Sequence, residues 1–439
     1  MRLAMKGTMT YMKFVIASNA ALALIRIPIL NILFLSTENP FPVDHGHHLR
    51  TYHVLKALAD VHTVHFIGFT QDNSGFKHKP KLQEFCESVE IFQLKYRGWR
   101  QALLSVSNLF SPLPLIAQKY YDKQVANRIK ELIDSAEIDL VHFDLLHLAQ
   151  YRKELDGFPS ILVNHNVESL RVLRWSKVER NPFLKIFLLY QYRKLKSFEK
   201  TVCSEFDRCT VVSDTDKEFL VKLCGSRNFV TIPNGVDVDY FHASKDEVEA
   251  EANTLVWAGS MSDPYNKDAV IYFVQQIWPN IRNEIPDARV TFVGNSPPKL
   301  LKRMASQSTN VKCTGYVDDV RPHIAKSAIF IAPLRSGSGT KIKVLNAMSQ
   351  GKLVVTTSVG AEGIEAKPDK EIIIADDPKK FAKKTVYFLK HLEEAQEIGK
   401  GARRVIEEKY DWKVINVKIQ QVYREFEKED SLENQPAAV

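Results

Sequence analysis

Arg335, Lys341 and Lys343 stand around the segment Ser336-Gly-Ser-Gly-Thr340, in which two glycines alternate with hydroxyl side chains. A helix opening at such a loop presents unpaired backbone N–H groups, and its dipole favours an anion there. Glycine lets a ligand come close to the backbone. Three cations on the same side extend that preference to a diphosphate. Taken alone, the loop fits equally an ordinary glycine turn of an α/β domain, and the lysines fit a solvated helix face. His165 is a second candidate, at the end of an apolar run, where a structural histidine is the competing reading. His45, His47, His48 and His53 invite a metal, but no carboxylate or cysteine stands at a ligand spacing nearby, so a metal site is not expected.

These residues need a scaffold, and the pattern supplies one. Short β-rich apolar runs alternate with longer helical patterns, which predicts parallel sheets built from strand–helix–strand units. In the first half the strands are 31–36, 61–68, 89–93, 140–143, 160–164 and 208–212, with helices at 49–58 and 122–135. A basic helical stretch at 168–200 carries Trp175, Phe183, Phe187, Tyr190 and Tyr192, and Pro182 breaks it in two. The second half gives strands at 254–259, 289–294, 311–314, 329–333, 353–357 and 371–374. Asp411 and Trp412 open a closing helix, and 429–439 read as a disordered tail. The α/β fold class is thus two doubly wound, Rossmann-like domains, at 30–235 and 236–410, with a charged linker near 244–251 and a closing helix over 411–428. Ligands of such sheets bind beyond the carboxyl ends of the strands, so two facing domains imply a cleft.

With 439 residues, 45% of them hydrophobic and 26% charged, the chain has the length and composition of a two-domain globular protein. A net charge of +8 suits phosphate-bearing substrates or an anionic membrane surface, and no nucleic-acid signature accompanies it. Five cysteines without a CxxC pair favour a reducing compartment over a disulfide framework. Residues 1–29 are read as an extension. Their apolar run at 14–25 is signal-like, yet Arg26 interrupts it and the first core strand follows at once.

Several motifs together resemble the family-4 retaining glycosyltransferases, which have the GT-B fold. Val230-Thr-Ile-Pro-Asn-Gly-Val-Asp-Val-Asp-Tyr-Phe241 is similar to their inter-domain hallmark. Leu255-Val-Trp-Ala-Gly-Ser-Met261, Asp287-Ala-Arg-Val-Thr-Phe-Val-Gly294 and Cys313-Thr-Gly-Tyr-Val-Asp-Asp-Val320 resemble successive strand ends of their donor domain. The 331–357 segment and Val359-Gly-Ala-Glu-Gly363 resemble the donor site of bacterial exopolysaccharide transferases. In the first domain, Pro40-Phe-Pro-Val-Asp-His-Gly-His-His-Leu-Arg50 and Asn164-His-Asn-Val-Glu168 resemble the family's first loop and histidine-bearing strand end.

The resemblance implies a closing helix that crosses back to the first domain, a nucleotide-sugar donor held by the second domain, and a saccharide or lipid-linked acceptor held by the first. Transfer would proceed without a cofactor and without a metal. His165, Arg335 and Lys341 take the catalytic positions. Gly46, Gly259, Ser260, Gly294, Tyr316, Val317, Gly337, Ser338, Gly339, Thr340, Lys343, Asn346 and Glu362 take the donor-binding ones. A cytoplasmic location, with peripheral contact to an anionic membrane through the basic stretch near 170–200, accompanies this reading; an amphipathic helix packed on the sheet is the alternative.

One departure stands out. The family carries two glutamates at positions that are Ser338 and Asn346 here, and the second accepts hydrogen bonds from the nucleotide ribose. A neutral amide is a weaker acceptor for two hydroxyls, by roughly 1 kcal/mol. The sequence therefore leaves open an active transferase, a weakened sugar-nucleotide-binding homologue and, more remotely, a nucleotide-sugar epimerase.

Overall fold

The structure is a computed structural model that describes residues 29–43, 46–96, 98–135, 137–242 and 250–427. The extension at 1–28, the linker at 243–249, His45 and the tail at 428–439 lie outside the described residues.

Two parallel sheets organise the chain. The first runs in the order β3-β2-β1-β4-β5-β6-β7. Its strands are β1 (Asn31–Ser36), β2 (Thr63–Thr70), β3 (Ser88–Gln93), β4 (Leu140–Asp144), β5 (Ser160–Asn164), β6 (Arg208–Val211) and β7 (Phe229–Thr231). The second runs β10-β9-β8-β11-β12-β13. It comprises β8 (Glu251–Ala258), β9 (Arg289–Val293), β10 (Val311–Cys313), β11 (Ser327–Ala332), β12 (Leu353–Thr356) and β13 (Ile373–Ile374). Every strand pairing is parallel; β1 pairs Leu33 with His65 on one side and Val141 on the other. The central strands are buried along their length because helices cover both faces, which is why they read as apolar runs rather than alternating ones.

The helices that position the site are α1 (Gly46–Ala59), α2 (Trp99–Ser107), α3 (Glu168–Val178), α4 (Pro182–Val202), α5 (Ile342–Ser349) and α6 (Trp412–Arg424). Pro182 does divide the basic stretch. Asn181 caps the second piece by accepting hydrogen bonds from the backbone of Phe183 and Leu184, and proline fits the first helical position because it needs no donor there. Strand β7, absent from the sequence reading, adds an edge to the first sheet immediately before the inter-domain motif. Strand β13 is shorter than the predicted 371–374, since only two residues pair with β12.

The chain crosses between the two sheets twice, and the crossings touch. Val236 N–H donates to the Tyr410 carbonyl at 2.7 Å and the Trp412 N–H returns to Val236 at 3.2 Å. Helix α6 then packs on the first sheet: Trp412, Ile415, Ile419, Val422 and Tyr423 share one core with Ile32, Phe34, Val54, Leu55 and Phe66. Trp412 stacks on the His53 ring.

Candidate donor and transfer site

The carboxyl ends of β8, β9 and β11 and the loop before α5 gather most of the predicted donor residues. Gly294 has φ 140°, and a Cβ there would fall 1.8 Å from the Gly259 carbonyl, so the two strand ends meet only because Gly294 has no side chain, while a Cβ on Gly259 would fall 2.7 Å from the Lys343 ammonium. Lys343 rises from the first turn of α5 beside them. Its ammonium lies 4.4 Å from the Trp257 ring centroid and donates to the Asn266 side-chain oxygen. Burial pushes the Lys343 pKa down to about 7, offset in part by Asp263. Lys341 donates to the Ser338 carbonyl at 3.0 Å and to the Gly339 carbonyl, and burial lowers its pKa to about 8 against the attraction of Glu362 and Asp216. These lysines are therefore not a solvated face. They are half-buried, with backbone oxygens and an amide as their partners.

The glycine loop does not sit free above its own sheet. Ser338 Oγ donates to the Val167 carbonyl at 3.2 Å and Thr340 Oγ1 to the Val212 carbonyl at 3.1 Å, both in the first domain. Gly339, at φ 69°, comes so close that a Cβ would lie 2.6 Å from the His165 carbonyl. On the other side, a Cβ on Gly46 would meet Ile342 at 3.1 Å. Arg174 of α3 completes the closure: it donates to the Gly337 carbonyl at 2.7 Å and grips both carboxylate oxygens of Glu362, at 2.5 and 2.9 Å. Glu362 is thus tied to the first domain.

Arg335 stands further out, stacked 4.3 Å from the Tyr272 ring and paired with Asp268. Ser260 donates to Asn295 at 2.6 Å on the exposed rim. Among the described residues no hydrogen bond or ring contact ties Tyr316 to the cations; its side chain is exposed, while Val317 packs on the core of the second domain. Asn346 is half-buried one turn after Lys343, and neighbours at that spacing share a helix face.

His165 follows directly on β5 and is almost wholly buried. Its Nε2 lies 2.8 Å from Asp144 Oδ1, and its Nδ1 lies 3.2 Å from His47 Nδ1. His47 Nε2 in turn meets Thr37 Oγ1 at 3.1 Å, and Thr51 donates to the other Asp144 oxygen at 2.5 Å. One neutral arrangement satisfies the three hydrogen bonds that join Asp144, His165, His47 and Thr37. His165 gives its Nε2 proton to Asp144, His47 gives its Nδ1 proton to His165, and Thr37 donates to His47. Burial, helped by His165, lowers the His47 pKa to about 4, which agrees with a neutral ring. Burial alone would raise Asp144, but His165 and His142 outweigh it and hold the carboxyl well below its usual range.

This network corrects the premise on which the metal was set aside, because a carboxylate does stand near His47: Asp144, brought in by β4. The ligand atoms of His47, Asp144 and His165 lie within 4.8 Å of one another. They still make a poor cation site. Asp144 and His47 occupy opposite nitrogens of the His165 ring, so no ion meets all three at bonding distance without breaking the chain.

Four residues escaped the sequence reading. Asp144 carried a usable signal, an acid closing an apolar strand at its carboxyl end. His47, noticed only as a metal candidate, is the second ring of the chain. Arg174 was one cation among many in a basic helix. Arg50, quoted only as the end of the first-loop motif, is buried and donates to the carbonyls of Ile232 and Pro233 and to the Asn234 side chain, which joins the first loop to the inter-domain motif.

Two facing Rossmann-like sheets, a cleft at their carboxyl edges and a closing helix that returns to the first domain define the GT-B glycosyltransferase class. Solved structures agree. The chain is similar to sucrose-phosphate synthase of Thermosynechococcus elongatus (TM-score 0.67, 16% identity, 90% of this chain and 98% of that one). It is also similar to a glycosyltransferase of Rickettsia africae (0.64, 15%, 92% and 100%) and to HepE of Anabaena, solved with UDP-glucose (0.61, 14%, 90% and 100%). In sequence, residues 45–240 match the family described as Glycosyltransferase Family 4 and residues 252–391 that described as Glycosyl transferases group 1. An uncharacterized 44.6 kDa protein of the cps region of Klebsiella pneumoniae is 25% identical over 88% of this chain and 97% of its own length. The chain belongs to the family-4 glycosyltransferases of GT-B fold.

Proposed function

We propose that the protein transfers a hexose, with retained anomeric configuration, from a nucleoside-diphosphate sugar to a saccharide or lipid-linked acceptor of an exported polysaccharide. The observation that carries this reading is the pair of half-buried lysines, Lys341 and Lys343, beside the glycine loop where the two domains meet. As the glycosidic bond breaks, negative charge grows on the leaving diphosphate, and fixed cations and N–H groups aimed there lower the barrier without reorganising. Lys343, Lys341 and the amides of Gly337, Ser338, Gly339 and Thr340 supply that field, with Arg335 at its outer edge. They do the work that a divalent ion does elsewhere, so we infer metal-independent transfer.

Both nitrogens of His165 are engaged, so its direct offer to a sugar is the backbone carbonyl facing the loop. The Asp144–His165–His47 chain holds that carbonyl in place. HepE, solved with UDP-glucose, supports a uridine-diphosphate hexose as the first donor to try. The cps-region relative supports a surface polysaccharide as the product's destination. No helix among the described residues is long and apolar enough to cross a membrane. We place the reaction on the cytoplasmic side, where nucleotide sugars are available.

A panel of nucleotide sugars, incubated with the protein in the presence of a chelator, tests the proposal. Release of nucleoside diphosphate from one donor is expected, and it should fall sharply in Lys343→Ala. Binding without release would favour the second reading, a weakened sugar-nucleotide-binding homologue, for which Asn346 is the specific observation. An altered free nucleotide sugar would overturn transfer in favour of epimerisation.

A further inference from the structure

The exposed apolar side chains of this protein are not scattered. Among the described residues, eight of the fourteen large hydrophobic side chains that face solvent fall on two neighbouring segments: Trp99, Leu103, Val106, Leu109 and Phe110 on one, Phe183, Ile186 and Leu189 on the other. Phe110 is 89% exposed, Phe183 83% and Trp99 70%. Single exposed hydrophobics need no explanation, but a contiguous group marks an interaction surface. Trp99, Leu103, Val106 and Phe110 recur at helical spacing, so α2 and the turn after it present one apolar face. The turn at Asn108 and Leu109 is tied to α4. The Tyr190 hydroxyl donates to the Leu109 carbonyl at 2.6 Å, and the Gln191 amide to Asn108 at 2.7 Å.

Charge identifies the occupant. Neither 98–121 nor 180–198 contains an acidic residue, whereas Arg100, Lys119, Arg180, Lys185, Arg193, Lys194 and Lys196 lie within them. Apolar side chains rimmed by cations alone suit an interface that is apolar within and anionic at its surface, which is the cross-section of an anionic lipid leaflet. A second copy of the chain would bring the same positive rim against itself and is disfavoured for that reason. The patch also lies at a useful place. Segment α2 follows the carboxyl end of β3, and α4 follows α3, whose Arg174 reaches the donor loop.

We propose that the face formed by α2, the turn at Asn108–Phe110 and the first turns of α4 inserts into an anionic membrane leaflet and holds the acceptor side of the cleft against it. The link to the acceptor rests on the transferase reading above; the insertion itself does not, and it is measured without donor or acceptor.

The experiment is sedimentation of the full chain with vesicles of phosphatidylcholine alone and of phosphatidylcholine mixed with phosphatidylglycerol, at low and high salt. Binding to the mixed vesicles only, weakened by salt, is expected. The double variants Trp99→Ser/Phe110→Ser and Phe183→Ser/Ile186→Ser should each lower the partition coefficient by at least ~10-fold. Lys185→Glu should lower it by roughly 5-fold or more. Two pairs on separate helices guard against one of them misfolding, and unchanged donor turnover in solution shows that the fold is intact. Failure of the wild-type chain to bind mixed vesicles, or binding that both double variants retain, overturns the proposal. So does a concentration-dependent dimer that the same substitutions dissolve, which would assign the face to a second copy.

Discussion

Lys343 carries a consequence at the scale of one side chain. With its pKa lowered to about 7, it is charged below that pH and neutral above it in the empty site. A diphosphate requires the charged form and, once bound, raises the pKa again. Donor affinity should therefore weaken as pH rises through about 7, and binding at pH 8 should take up a proton. Calorimetry in buffers of different ionisation enthalpy reads that uptake directly, and Lys343→Met should reduce it to the smaller part that Lys341, lowered to about 8, contributes. Asn346 is the other decisive residue. Replacing its neutral amide by a carboxylate should tighten nucleoside-diphosphate binding by about 1 kcal/mol, roughly 5-fold, if it faces the ribose. Unchanged affinity for Asn346→Glu would remove it from that role. The sequence named both positions, but it did not disclose that the lysine is desolvated. Burial of Lys343 depends on Trp257 and Gly259, which lie some eighty residues away and meet it only through strand order.

Elements decide whether the cleft is closed. Helix α3 belongs to the first sheet, yet its Arg174 reaches across to Gly337 and Glu362 of the second domain. A charge-assisted hydrogen bond of this kind contributes roughly 1.5–3 kcal/mol. Arg174→Ala should thus raise the donor KM about 10-fold or more while leaving the melting temperature of each domain nearly unchanged. Arg174→Lys should rescue it only in part, because an ammonium cannot span both oxygens. A kcat loss at constant KM would instead make Arg174 part of the chemistry. The elements themselves were largely legible. Strands β1 and β5 stand where the apolar runs put them, and Pro182 divides the basic stretch as proline does at a first helical turn. Partners across the cleft were not legible, because one arginine in a helix rich in cations gives no sign of which neighbour it will meet.

At the scale of the molecule, Trp412 joins the two domains. It is buried in the core of the first sheet while its own backbone pairs with Val236 at the crossing. Trp412→Ala should cost ~3–5 kcal/mol. The loss should fall on the first domain, so calorimetry is expected to show that domain melting earlier, separated from the transition of the second domain more widely than in the wild-type chain. The α/β class and the two sheets followed from periodicity and from the glycine-marked strand ends. That the last helix returns to the first domain came from the family resemblance instead, since an amphipathic pattern states only that a helix has an apolar face, not whose.

That last connection also orders events on the ribosome. A first domain emerging alone exposes Ile32, Phe34, Val54 and Phe66, the surface that α6 will cover some two hundred residues later. Its sheet can assemble early, yet its core stays open until the second domain has been synthesised in full. The final step of folding is then a docking reaction between the oldest and the newest parts of the chain. In the interval, a nascent chain carries an uncovered apolar groove, and chaperone occupancy should persist until α6 clears the exit tunnel.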